Sequence, residues 1–210
     1  MAEAKQALDL DRIIFIGRTY DEYASMFNLS HEEIQGIRVL DCPAGACSFT
    51  ARANRMGSEA TAADIAYAHE AEQLYAKGLV DLAYGARQVE KVQASYSWSY
   101  FKSVDQLAQS RRSALEENTA DRKAHPSRYI AVVLPELPFQ DRQFELTLSA
   151  HFLFSYSEQL DLAFHQATVL ELMRVDGPGT PDLPFGRPEG TALGPSGGDP
   201  AVDPRPPVEL

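Results

Sequence analysis

The sequence predicts an α/β protein, with a mostly parallel sheet and helices on both of its faces. Three observations carry this. Short apolar runs alternate with helical patterns in the order strand, helix, strand, helices, strand, strand, helix. The stretch VLDCPAGACSF (39–49) is a buried strand that runs into a turn of small residues and then into a helix. A second strand, EATAAD (59–64), ends on an acid, Asp64, 23 residues after Asp41.

Taken in order, the first element is a helix from Tyr20 onward. Apolar and aromatic residues recur at 20, 23 and 27, with 26 alongside, Thr19 stands as N-cap, and Asp21 and Glu22 fill the first turn. Residues 37–41 (IRVLD) form the first strand. Phe49 to Met56 form the helix leaving the loop, stopped at Gly57. After the second strand, residues 67–84 read as a helix weakened at Gly78, and 86–124 as one or two polar helices carrying aromatics at 96, 98, 100 and 101. The segment 65–128 is too long for a simple connection and is expected to be a helical insertion. RYIAVVL (128–134) is the third strand and FELTLSA (144–150) the fourth, joined by a proline-rich turn. Residues 157–175 are the clearest helix, with Leu160, Phe164, Ala167, Leu170 and Arg174 on one stripe and a capping box from Ser155 to Glu158.

Beyond 175 the pattern collapses. Residues 177–210 hold 7 of the 13 glycines and 9 of the 13 prolines. Such a segment cannot offset its ordering entropy by burial. The expected organisation is therefore one domain over 1–175 and a disordered tail over 176–210.

Composition narrows the function. Nineteen basic residues against thirty acidic ones give a net charge of −11, which repels phosphate backbones and anionic lipid. Nucleic acid and membrane are not expected partners. No apolar run approaches the ~20 residues of a membrane span, and the N-terminus lacks the basic-then-apolar order of a signal peptide. The only cysteines, Cys42 and Cys47, sit in the loop, which fits a reducing, cytoplasmic setting. They read as small buried side chains, since no histidine cluster lies nearby to complete a metal site.

The loop after Asp41 carries the chemistry. Small residues there let a ligand approach the backbone. Gly45 is free to take positive φ, whereas Pro43 fixes φ and removes a donor. A pyrophosphate would need more free N–H groups than this loop offers. Asp64, at the end of the second strand, is placed to accept both hydroxyls of a ribose. Its bland alternative is a helix cap. His151, just beyond the fourth strand, is either a general base or a residue packed under the helix cap with Phe152 and Phe154, and the packing reading is favoured.

Together, VLDCPAGACSF, ATAADIAY and LPELPFQDRQFELTLSAHFLF, preceded by GRTYDEYASMF, resemble the class I S-adenosylmethionine-dependent methyltransferases over roughly residues 11–175. The resemblance implies a Rossmann-like fold and S-adenosylmethionine as cofactor. It implies that Asp41 orients the loop or the cofactor's amino group, and that the backbone of Pro43, Gly45 and Cys47 lies along the methionine part. Asp64 would hold the ribose and Ile65 flank the adenine, with Leu134 and Pro135 near the adenine's other side. Ser149 would follow the fourth strand where the methyl group points, and Tyr20 or Tyr23 would close over the cofactor. The family's D-x-G-x-G-x-G reads here Asp41-Cys-Pro-Ala-Gly-Ala-Cys, which suits a zwitterionic amino-acid tail better than a dinucleotide. Val133 stands where many members carry an acid. The family's sheet has seven strands and four are legible here, so the C-terminal strands are expected to be missing or replaced. The function implied is methyl transfer to a small-molecule acceptor. The alternative is a non-catalytic cofactor-binding or interaction relative. A nicotinamide oxidoreductase fits the loop less well, and no residue pattern sets the oligomeric state.

Overall fold

The structure is a computed structural model, and it describes residues 13–177. A four-stranded, all-parallel sheet forms its centre, in the order β3-β2-β1-β4, with β1 Arg38–Asp41, β2 Glu59–Asp64, β3 Tyr129–Ala131 and β4 Leu146–Leu148. In register, Val39 lies opposite Ala60 and Leu146, and Asp41 opposite Ala62 and Leu148. The third and fourth strands are shorter than 128–134 and 144–150. After Val132 the chain turns at Val133–Glu136 and passes through a cis Leu134–Pro135 bond, which takes it off the sheet.

The strands alternate as a sheet covered on both faces must. Val39 and Ala60 point to a cluster with Tyr23, Ile34, Phe49 and Leu148. Leu40 and Ala63 point the other way, to Val132, Phe144, Leu172 and Val175. Val39, Leu40, Ile34 and Phe49 are all fully buried, each contributing roughly 1.5–3 kcal/mol.

The first face is covered by α1 (Tyr20–Phe27), α2 (His31–Ile34), α3 (Phe49–Arg55) and the long pair α4 (Ala71–Val92) and α5 (Val104–Ala124). The expected cap of α1 is present: Thr19 accepts from the Glu22 N–H, and the Glu22 carboxylate accepts from the Thr19 N–H at 3.0 Å. The helix expected over 67–84 starts later and runs on to Val92, after a 3-10 turn over Ile65–Ala68. Gly78 is less a weak point than a contact: a Cβ there would stand 2.7 Å from Leu115 of α5.

The other face is covered by α7 (Leu162–Val175), which follows the short helix α6 (Phe152–Ser155). Two expectations fail here. The cap of α7 is Asp161, whose carboxylate accepts the Phe164 N–H at 2.8 Å, not the Ser155–Glu158 box. Its buried face is Thr168, Leu172 and Val175, and Leu170 of the expected stripe is 67% exposed. The helix starts five residues later than the sequence pattern suggests, so the stripe was counted from the wrong turn.

The expected tail boundary also moves. Asp176 forms a parallel bridge with Phe144, and the Phe144 N–H donates to the Val175 carbonyl at 3.1 Å. The remainder of the tail, from 178, lies outside the described residues. No helix among the described residues is long and apolar enough to cross a membrane.

Candidate functional site

The site lies at the carboxyl ends of β1 and β2, beside the place where strand order reverses between β1 and β4. Asp41 closes β1 and is fully buried. One of its oxygens accepts from the Tyr23 hydroxyl at 2.9 Å, and the same hydroxyl lies 3.2 Å from the Cys47 sulfur. The other oxygen, Oδ2, is buried with no hydrogen-bond partner among the described residues. Burial raises the Asp41 pKa to about 7, against the lowering effect of the Tyr23 bond. Both cysteines are buried, as expected for small core side chains, and burial pushes the Cys47 thiol up to about 12 and raises that of Cys42 too, which keeps both protonated near pH 7.

The loop itself is held from several sides. Gly45 takes φ +55, the left-handed conformation that favours glycine. The Cys42–Pro43 bond is cis. Every N–H from Ala44 to Ser48 is used inside the protein. Ala44 donates to Ala63, Gly45 to Asp64, Ala46 to Ile16, Cys47 to Ala44 and Ser48 to Arg18. No free nest of N–H groups is left for a phosphate. The loss of glycines at 43 and 47 had pointed that way.

Asp64 has both of the roles considered for it within reach. Its oxygens accept the Gly45 N–H at 2.8 Å and the Ala66 N–H at 2.9 Å, so it caps the turn after β2 and ties it to the loop. Each oxygen retains a lone pair for a further donor. Burial raises its pKa, and the two backbone bonds oppose that. Next to it Ile65 is 63% exposed. Tyr20 is buried and stacks on Phe49 with ring centroids 5.6 Å apart, so Tyr23, not Tyr20, meets the loop acid. Leu134 packs under the sheet against the α7 cluster. Ser149 lines a cavity of about 260 Å³ with Ala150, Leu153, Val169 and Met173. Thus Asp41, Gly45, Cys47 and Asp64 form one connected group, while Leu134 and Ser149 stand apart from it.

Several residues at this site had no sequence signal. The segment Ile14–Arg18 lies directly over the loop. Its N–H groups donate to Tyr156 from Ile14, to Asp81 from Phe15 and to the Cys47 sulfur from Arg18. Gly17 is required there, because a Cβ would stand inside the Ala46–Cys47 backbone. From α5, Asn118 donates to the Cys47 carbonyl at 2.9 Å. Arg111 pairs with both oxygens of Glu22 at 2.5 and 2.6 Å, in a nearly buried ion pair. The insertion therefore braces the loop and its cover, through contacts 71 and 89 residues apart in the chain.

His151 precedes α6 and is partly buried, and its Nδ1 has no partner among the described residues. Burial lowers its pKa to about 4, with Arg18 and Arg111 adding to the effect and Glu22 opposing it. The ring is therefore neutral near pH 7. Of the insertion aromatics, Tyr96 stacks on Trp98 and Phe101 lies under the Arg111 guanidinium. No group of histidines, cysteines and acids able to hold a metal occurs among the described residues.

Comparison with known proteins gives one informative match. The chain is 31% identical over 169 residues to the uncharacterized protein MJ0045 of Methanocaldococcus jannaschii, an alignment covering 80% of this chain and 76% of that protein. No family model matches, and no solved structure matches. The chain belongs to the same family as MJ0045.

Proposed function

We propose that this member of the MJ0045 family is an S-adenosylmethionine-dependent methyltransferase acting on a small-molecule acceptor. The observation that supports it most is the pair of carboxylates at adjacent strand ends, Asp41 and Asp64, with the fully buried Asp41 Oδ2 lacking a donor. Such an orphan is costly unless a ligand supplies the donor. An ammonium does so, and the unused lone pairs of Asp64 suit the two hydroxyls of a ribose. The loop's spent N–H groups argue against a pyrophosphate ligand and leave an amino-acid tail acceptable.

The cofactor would supply a methyl group already activated on a sulfonium. What the chain must add is alignment and exclusion of water. The Ile14–Arg18 segment, locked over the loop, shields it from solvent. His151, neutral and with a free ring nitrogen, is able to take a proton from an acceptor hydroxyl or amine. A second reading, a binding protein without catalysis, draws on the same segment: it packs closely on the loop, and every loop donor is satisfied without a ligand.

Thermal unfolding tests the cofactor class. At a hundredfold excess over Kd a ligand adds about 2.7 kcal/mol, or roughly 5–10 °C in Tm for a chain of this size. S-adenosylmethionine and S-adenosylhomocysteine should produce that rise and NAD none. A rise with NAD alone would overturn the proposal.

A further inference from the structure

The Tyr23 hydroxyl sits between two acceptors, Asp41 Oδ1 at 2.9 Å and the Cys47 sulfur at 3.2 Å. It has one proton to give. Burial first, and Asp41 second, raise its pKa well above the ordinary value, so that proton stays on the oxygen. The carboxylate is the stronger acceptor of the two. The sulfur already accepts the Arg18 N–H at 3.2 Å, and its own thiol is protonated near pH 7. The order that satisfies every group runs from the Cys47 thiol to the Tyr23 oxygen, and from the Tyr23 hydroxyl to Asp41 Oδ1.

Packing fixes where that hydroxyl stands. The Tyr23 ring is fully buried, stacked on Phe49 with centroids 5.1 Å apart and set edge-on to Phe27 at 5.4 Å. The Glu22–Arg111 pair ties its helix to α5, and the Asn118 bond ties Cys47 to the same helix. Asp41 Oδ1 is therefore committed. Oδ2 is left buried, without a donor among the described residues. The titratable groups coupled to Asp41 are Tyr23 from α1, Cys42 and Cys47 from the loop, Asp64 from β2, Tyr67 from the turn after β2 and Tyr129 from β3. None of these is a cation, and β4 places Leu148 opposite. Arg18, over the loop, acts on Cys47 and Tyr23 and not on Asp41. At low pH Oδ2 carries the carboxyl proton. Once that proton leaves, the same oxygen is a buried negative charge with no positive group in this set to match it.

We propose that Tyr23 is a positioning residue for ligand binding: it holds Asp41 by Oδ1 and leaves Oδ2 as the acceptor for an ammonium group, with Cys47 holding Tyr23 from behind. Proton and ammonium compete for one oxygen, so binding of the amine releases the proton. This rests on the reading of the site as one for S-adenosylmethionine, and the ammonium is that of the cofactor's amino-acid tail. Affinity for the amine rises with pH through the folded pKa of Asp41, and the Tyr23 bond, which favours the ionised form, brings that rise down to about pH 7.

The test uses the full-length protein and its Tyr23→Phe variant, which keeps the ring stack and removes only the hydroxyl. Three probes are titrated calorimetrically between pH 6 and pH 8.5: S-adenosylhomocysteine, methylthioadenosine, which lacks the amino-acid tail, and L-methionine, which stands for the tail alone. Carbon-13 NMR of labelled aspartate follows the Asp41 carboxyl without ligand. In Tyr23→Phe the Asp41 midpoint and the S-adenosylhomocysteine profile should both move up by about one pH unit or more, as expected for loss of a hydrogen bond to a charged group. Affinity near pH 7 then falls roughly tenfold, the loss shrinks as pH rises, and methylthioadenosine is unaffected. A loss equal at every pH, a loss as large for methylthioadenosine, or an unmoved Asp41 midpoint would make Tyr23 a packing residue only and overturn the proposal. L-methionine binding with the same Tyr23-dependent profile, and no binding of either nucleoside, keeps the positioning role and removes the methyltransferase reading. A wild type that binds none of the three overturns both. If Tyr23→Phe does not fold, proton release by the wild type decides, measured near pH 7 in buffers of different ionisation enthalpy. S-adenosylhomocysteine should release a proton where methylthioadenosine releases none, and equal release by the two would overturn the proposal.

Discussion

Replacing Asp41 by Asn should make the protein more stable at pH 8 and less able to bind its ligand. Asp41 is fully buried and its folded pKa is about 7, against an ordinary 3.8. The folded state therefore holds a proton that the unfolded chain has already released, and stability falls as pH rises through the folded pKa. Between pH 5 and pH 8 the folded group ionises while the unfolded one stays ionised. At 1.36 kcal/mol per pH unit, over about two units, the wild type should lose roughly 3 kcal/mol. An asparagine keeps an acceptor for the Tyr23 hydroxyl and has no proton to lose. Urea unfolding of both proteins at pH 5 and pH 8 measures the difference. Other titrating groups are shared, so the gap between the two pH dependences isolates Asp41. With an m value of ~2 kcal/mol/M, the wild-type midpoint should fall by about 1.5 M more than that of the variant. Equal falls in the two proteins would refute the assignment of a strained, ionisable carboxyl at this strand end.

Two further substitutions probe the frame around it. Arg111→Met leaves the Glu22 carboxylate nearly buried without its cation and should cost about 3 kcal/mol in urea unfolding; adding Glu22→Gln should return part of that, and purely additive losses would count against the pair. Gly17→Ala drives a methyl into the Ala46–Cys47 backbone, where nothing flexible can yield. It should cost about 3 kcal/mol and speed amide exchange at Ala46 and Ser48, whose N–H groups donate to the covering segment. Unchanged exchange at both would show that the segment does not rest on the loop.

The fold was readable from the sequence because each signal was local. The cap at Thr19, the strand ending at Asp41, the positive φ at Gly45 and the second strand ending at Asp64 all follow from neighbours a few residues apart. The start of α7 was misread because Asp161, its true cap, has no acid or amide three residues on to mark it. Within the site, Tyr23 was one of two tyrosines considered, and only packing decides between them. Arg111 and Asn118 gave no sign at all, since they stand in a polar stretch with a weak helical stripe and their partners, Glu22 and Cys47, lie at long range. The tail boundary shifted for a similar reason: Asp176 pairs with Phe144, a strand contact that composition alone does not foretell.

The central claim is that Asp41 and Asp64 frame an S-adenosylmethionine site. Calorimetric titration of the wild type and of Asp64→Ala with S-adenosylmethionine tests it most directly. Saturable one-to-one binding that the variant loses by tenfold or more, the cost of removing a charged acceptor, is the result expected. A wild type that folds cooperatively and binds nothing, or an Asp64→Ala variant that binds as tightly as the wild type, would contradict it.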